Sequence, residues 1–160
     1  MKQIIGIADM KISARPEDVL ITYALGSCLG IAVYDPIAKV GGLLHVMLPV
    51  STVNPEKAAR NPLMFVDTGV PELFKACYKM GAKKERIVVK VAGGASLQNN
   101  EDRDQFQIGK RNFLMLRKLL WKNNILIKSF DVGENYSRTM SMDMQTGDVV
   151  LKINSQETIL

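Results

Sequence analysis

The stretch Leu25-Gly26-Ser27-Cys28-Leu29-Gly30-Ile31-Ala32-Val33-Tyr34-Asp35-Pro36-Ile37-Ala38-Lys39-Val40-Gly41-Gly42-Leu43-Leu44-His45-Val46-Met47-Leu48-Pro49 decides the fold. Two apolar runs, Ile31 to Tyr34 and Val40 to Leu48, flank a turn marked by Asp35-Pro36, which is the pattern of a β-hairpin. An antiparallel pairing around that turn makes partner numbers sum to about 74 or 75. The position opposite Cys28 then falls near 46 or 47, beside His45. Directly paired residues lie ~5 Å apart and diagonal ones ~7–8 Å. A slip of one residue would turn His45 to the other face, so the register carries the argument.

Outward from the hairpin, Lys2 to Ile7 and Val19-Leu20-Ile21-Thr22-Tyr23 read as strands, the second rich in β-branched and aromatic residues. Ser51 to Pro62, polar with two prolines, reads as a surface loop. Val66, Val70, Leu73, Cys77 and Met80 then line one face of a helix that Gly81 ends. Pro71 inside that pattern calls for a kink, or for a regular part that begins near Val70. Ile87 to Val91 is a buried type of strand followed by Ala92-Gly93-Gly94-Ala95-Ser96, and Gln98 to Gln105 is a polar loop. Ile108 to Asn123 reads as a second helix with Asn112, Met115 or Leu116, and Leu119 inward. Ile125 to Val132 is a strand, and Arg138 to Met144 and Val149 to Ile153 form a hairpin turned at Gln145-Thr146-Gly147-Asp148.

These elements amount to about eight strands and two helices, with strands in runs rather than in alternation with helices. The expected class is α+β: a layered α/β sandwich of mostly antiparallel strands with two main helices on one face. That order excludes a doubly wound dinucleotide fold. With 160 residues, no linker and no repeat, one domain spanning 1–160 is expected. An apolar fraction of 47% against 23% charged residues argues against disorder. No apolar run approaches the ~20 residues that span a bilayer, and Met1-Lys2-Gln3-Ile4-Ile5-Gly6 lacks a secretory-signal pattern. A cytoplasmic, reducing location with both cysteines free is the expectation.

The net charge of +5 comes from scattered pairs such as Lys83-Lys84 and Lys110-Arg111. No aromatic residues interleave with them to make a nucleic-acid stacking platform, and an acidic protein partner fits the same balance. One histidine and two cysteines cannot build an ordinary zinc site, and neither metal nor cofactor is expected. Gly93-Gly94 lacks the spacing of a phosphate loop and reads as close backbone packing.

Cys77 lies on a helix stripe, where an inert buried thiol is expected. Cys28 sits in a turn of small residues, where Gly26 and Ser27 let a ligand approach and consecutive amides can face an anion. A cysteine in such a turn is structural or catalytic, and His45 alone reads as a satisfied, half-buried histidine. Their convergence favours a thiol–imidazole pair, in which an imidazolium lowers the thiol pKa. Thr22 is a candidate third group that holds the imidazole, and equally a plain strand residue.

Thr22-x-x-Leu25-Gly26-Ser27-Cys28, with His45 in Gly41-Gly42-Leu43-Leu44-His45-Val46-Met47-Leu48-Pro49, resembles the chemoreceptor glutamine deamidase family CheD. Lys90 to Ser96, Ile108-Gly109-Lys110-Arg111-Asn112, Asp131-Val132-Gly133, Arg138 and Thr146-Gly147 extend the resemblance along nearly the whole chain. Gly69, Pro71, Leu97 and Glu134 depart from the family pattern and bear on packing or partner surfaces. The resemblance implies a fold related to bacterial toxin deamidases and hydrolysis of receptor glutamine side chains to glutamate. It implies Cys28 as nucleophile, His45 as general base and acid, Thr22 as the group holding His45, and no cofactor. The implied partners are chemoreceptor cytoplasmic helices and the phosphatase CheC. Another thiol hydrolase or a non-catalytic chemotaxis adaptor are the alternatives.

Overall fold

A computed structural model describes residues 1–96 and 107–160. The polar segment Gln98 to Gln105 lies outside the described residues. Ten strands are present among the rest: β1 (Lys2–Ile4), β2 (Asp9–Ser13), β3 (Val19–Leu25), β4 (Leu29–Asp35), β5 (Val40–Val46), β6 (Val88–Gly93), β7 (Ile127–Val132), β8 (Arg138–Asp143), β9 (Val149–Ile153) and β10 (Gln156–Ile159). Helices α1 (Pro55–Arg60), α2 (Val66–Lys79) and α3 (Ile108–Lys122) accompany them.

Residue alternation sorts the strands into two stacked sheets. The first has the order β1-β3-β8-β9-β10 and the second β2-β5-β4-β6-β7. All pairings are antiparallel except β1 with β3 and β6 with β7. On β4 and β5 every residue is buried, because the second sheet is covered on both sides. Ala32, Tyr34 and Leu43 meet Leu20, Leu25, Met140, Met142 and Leu151 of the first sheet. Ile31, Val33 and Leu44, one step out of phase, meet Val70, Leu73 and Cys77 of α2 and Phe113, Leu116 and Leu120 of α3. The result is sheet on sheet on helices, with α2 and α3 on one face as the α+β reading expects.

The hairpin expected from the sequence is β4–β5. From Leu29↔Val46 to Asp35↔Val40 the partner numbers sum to 75, one of the two registers anticipated. Asp35 holds the turn by accepting from the amides of Ile37 and Ala38 at 2.9 and 3.1 Å. Helix α2 starts at Val66, a turn before the alternative start near Val70, and runs on past Pro71. Gly81 ends it at φ +107°, a left-handed conformation that costs glycine least.

Three elements escape the sequence reading. Strand β2 pairs with β5 along its whole length but is short and is interrupted by the charged Asp9 and Lys11. Helix α1 replaces part of the expected Ser51–Pro62 loop, with the Asn54 side chain accepting from the Lys57 amide and Pro55 in its first turn. It buries no residue, so it has no apolar period to detect. Strand β10 is exposed throughout for the same reason.

Asp35 also anchors the hairpin to the end of α2. Its fully buried carboxylate accepts from the Lys83 amide at 2.9 Å and pairs with Arg86 at 2.9 Å. Burial pushes its pKa up, but Arg86 and the three amides outweigh that and hold it at about 2, below the ordinary 3.8. A carboxylate depressed on folding stabilises the protein above its unfolded pKa and loses that contribution as pH falls towards about 2. Asp35→Asn should therefore cost about 2 kcal/mol at pH 7, with the gap to wild type closing between about pH 4 and pH 2. Urea unfolding of both proteins across that range checks it; a gap independent of pH would show that the charge is not what matters.

Candidate active site

The site forms where the two sheets face each other at the open end of the β4–β5 hairpin. His45 stands on β5 directly opposite Gly30 of β4. Cys28 precedes Gly30 by two residues and packs, with the inward residues of β4, against the core between the sheets. The thiol and the imidazole therefore belong to the same face, in a diagonal relation. Cys28 is partly exposed, whereas His45 is fully buried.

Thr22 reaches the same place from the other sheet. On β3, Leu20 and Thr22 point inward, and then the ladder to β8 shifts: Thr22 pairs with Met140 and Leu25 with Arg138. Three steps on β3 thus match two on β8, a bulge with Ala24 at φ +57°. The extra residue resets the alternation, so that Leu25 is buried as Thr22 is, and the chain turns into the Cys28 loop.

Thr22 Oγ1 lies 2.7 Å from His45 Nδ1 and donates its own proton to the Ile5 carbonyl at 2.8 Å. A hydroxyl has one proton, so towards the imidazole it can only accept. Nδ1 therefore carries the hydrogen of the neutral ring, and Nε2 presents its lone pair. Nε2 is buried and has no hydrogen-bond partner among the described residues. Such a nitrogen is costly in a mere core histidine and useful in a base. The Ile5 carbonyl is the member that sequence reading missed, since a backbone acceptor has no residue-type signature.

The Cys28 loop is held by its carbonyls. Gly26 O accepts from the Ala95 amide and Cys28 O from the Gly94 amide, both at 2.9 Å. The Asn112 side chain takes Ser27 O at 2.9 Å. Gly93, at φ +114°, lies so close that a Cβ would collide with the Cys28 carbonyl. The fully buried Arg138 braces this segment from beneath, bonding Gly93 O at 3.3 Å, Gly133 O at 3.0 Å and Asp131 at 2.8 Å. Gly93-Gly94 thus serves close packing, as its spacing indicated.

The electrostatics differ from the expectation of a lowered thiol pKa. Burial pushes the Cys28 thiol up, only partly opposed by its own amide N–H, and burial pushes the His45 pKa down. Both shifts disfavour charge, so the resting pair is neutral thiol and neutral imidazole. Cys77, sealed under α2, is pushed up to about 12.

Comparison with known proteins places the chain. A family model described as CheD chemotactic sensory transduction matches residues 47–153. A probable chemoreceptor glutamine deamidase CheD 1 from Syntrophus aciditrophicus is 52% identical over 93% of this chain and 92% of its own. Proteins named probable chemoreceptor glutamine deamidase CheD from Solibacter usitatus and Syntrophotalea carbinolica are 46% and 43% identical, over 98% and 90% of this chain and 92% and 89% of theirs. The family match begins just past His45, and the near full-length relatives extend it across the segment that carries Thr22, Cys28 and His45. With its sandwich, its buried imidazole and relatives along the whole length, this chain belongs to the CheD family.

Proposed function

We propose that the protein hydrolyses glutamine side chains of chemoreceptors to glutamate, with Cys28 as nucleophile, His45 as base and acid, and Thr22 holding the imidazole. The observation that carries this reading is the directed relay from His45 Nδ1–H to Thr22 Oγ1–H to the Ile5 carbonyl. It leaves Nε2 as an acceptor with no partner among the described residues, on the face that Cys28 shares.

Because both partners rest uncharged, attack and proton transfer go together. His45 Nε2 takes the thiol proton as Sγ bonds to the side-chain carboxamide carbon, and the carbonyl electrons move to oxygen. The backbone amide of Cys28 donates to that oxyanion, together with the neighbouring amide of Ser27. The imidazolium then protonates the nitrogen as its bond to carbon breaks, and ammonia leaves a thioester. Water gives a proton to Nε2 and attacks the thioester carbon; glutamate forms and Cys28 recovers its proton. Thr22 stays an acceptor throughout and stabilises the imidazolium that appears twice.

The substrate would be the cytoplasmic helices of methyl-accepting receptors, and the phosphatase CheC the docking partner, both in the cytoplasm; the relatives' names support the receptor. No helix among the described residues is long and apolar enough to cross a membrane.

Incubation with a receptor cytoplasmic fragment should add about one dalton per converted glutamine by mass spectrometry, with one ammonia released for each. Cys28→Ala and His45→Ala should abolish this with far-UV circular dichroism unchanged. Thr22→Val should lower kcat about tenfold or more, as expected for losing one orienting hydrogen bond. Wild-type turnover by Cys28→Ala would refute the nucleophile.

The neutral pair has its own signature. Since the base must be unprotonated and burial lowers the His45 pKa, the acid limb of kcat/KM should lie below the ordinary imidazole value of 6.5. A limb above pH 7 would mean an imidazole that is charged at rest. In the native protein a disulfide reagent should titrate one thiol, Cys28, and reach Cys77 only after unfolding.

A further inference from the structure

One buried polar side chain has no part in the reaction so far. Asn112 lies inside α3, fully buried, where an apolar residue would pack without leaving a polar group to satisfy. Its Nδ2 donates to Ser27 O at 2.9 Å and to Met47 O at 3.0 Å. Two carbonyl acceptors require the amino group at that end, which settles the amide's orientation. Oδ1 is left buried without a partner among the described residues. Among the described residues, then, this oxygen goes without a partner while the two donors at the other end of the amide are both used.

What those donors hold is informative. Met47 lies two residues beyond His45, and Ser27 immediately precedes Cys28. A trans peptide is a rigid plane in which the carbonyl of one residue and the N–H of the next point in opposite directions. Fixing the Ser27 carbonyl therefore fixes the direction of the Cys28 amide, the backbone donor of the residue that carries the sulfur. The planes on either side are fixed by backbone donors, Ala95 N on Gly26 O and Gly94 N on Cys28 O. The middle plane is held by the Asn112 side chain.

We infer that Asn112 is a positioning residue that sets the oxyanion hole, aiming the Cys28 amide by gripping Ser27 O while tying that loop to the end of β5. The inference rests on the reading of Cys28 as a nucleophile towards a carbonyl. It does not need the carbonyl to belong to a receptor glutamine. Asn112 touches no reacting atom, so its loss should weaken oxyanion stabilisation and leave the sulfur's access and intrinsic reactivity in place.

Two variants and two probes test this. Asn112→Asp keeps the shape and replaces the donors by acceptors; Asn112→Ala removes them and covers the case in which the aspartate does not fold. Carbon-13-labelled butanal, an aldehyde of about the size of the substrate side chain, adds Cys28 to its carbonyl and places the new oxygen in the hole. Iodoacetamide alkylates the same sulfur at a saturated carbon and needs no hole. We expect the hemithioacetal, read by NMR, to weaken about 30-fold or more, somewhat less than the ~100-fold or more for outright loss of one oxyanion donor, because the Cys28 amide is mis-aimed and not removed. Alkylation should stay within about threefold, and receptor turnover should lose kcat at nearly constant KM. Unchanged aldehyde affinity, a parallel loss of aldehyde binding and alkylation, or a wild type that forms no adduct would each overturn the assignment. If the aldehyde and alkylation results part as expected while wild type leaves receptor glutamines intact, the deamidase reading fails and the role of Asn112 stands. If receptor conversion proceeds and the variants match wild type with butanal, the reverse holds.

Discussion

The two sheets of this protein stack as apolar surfaces, and apolar surfaces alone would let them slide. What gives their stacking a chemical meaning is the hydrogen bond from His45 on β5 to Thr22 on β3, which crosses from one sheet to the other. Both residues are fully buried, so each would carry an unsatisfied polar group if the sheets shifted. The bond's polarity depends in turn on Ile5, whose carbonyl takes the threonine proton and whose amide pairs with Ile21 of β3. The residue just past β1, a short parallel strand at the sheet margin, thereby decides which imidazole nitrogen holds hydrogen.

Around that bond the backbone is shaped by small departures from regularity. The bulge at the end of β3 keeps Thr22 inward and still buries Leu25. The positive-φ glycines after β6 bring amides against the loop that carries Cys28. Arg138 costs the fold a buried cation, offset by Asp131, three carbonyls and the face of Tyr136. Its return is rigidity under the Gly93 turn, and a nucleophile is useful only if its loop holds still.

How much of this can be read from the chain follows from what leaves a periodic trace. The β4–β5 hairpin was legible because its turn is signalled at Asp35-Pro36 and its strands are mostly apolar runs, Ile31 to Tyr34 and Val40 to Leu44. That pairing puts the lone histidine in the neighbourhood of Cys28 on residue spacing alone. Helices α2 and α3 were legible from their buried stripes; α1 and β10 bury nothing and left no trace. Thr22 was visible as a residue but not as an acceptor, since its role depends on a carbonyl seventeen positions away. The direction of the pKa shifts was hidden too. Proximity of thiol and imidazole suggests an ion pair, and only the depth of burial shows that neither group is favoured in its charged form.

That neutrality has a chemical logic. A thiolate held ready at rest is nucleophilic towards any electrophile or oxidant that reaches it, whereas a neutral thiol is a poor target for both. In the mechanism proposed above, the pair separates charge only when a carbonyl is present to receive the sulfur's electrons, at which point the oxyanion and the imidazolium appear together. Their attraction in a buried site is stronger than it would be in water, and the Thr22 oxygen, 2.7 Å from Nδ1, is already in place for the imidazolium. Desolvation thus raises the energy of the isolated charged groups and strengthens the field that holds them in the transition state. A site built this way gives up a standing thiolate and gains selectivity for substrates that complete it.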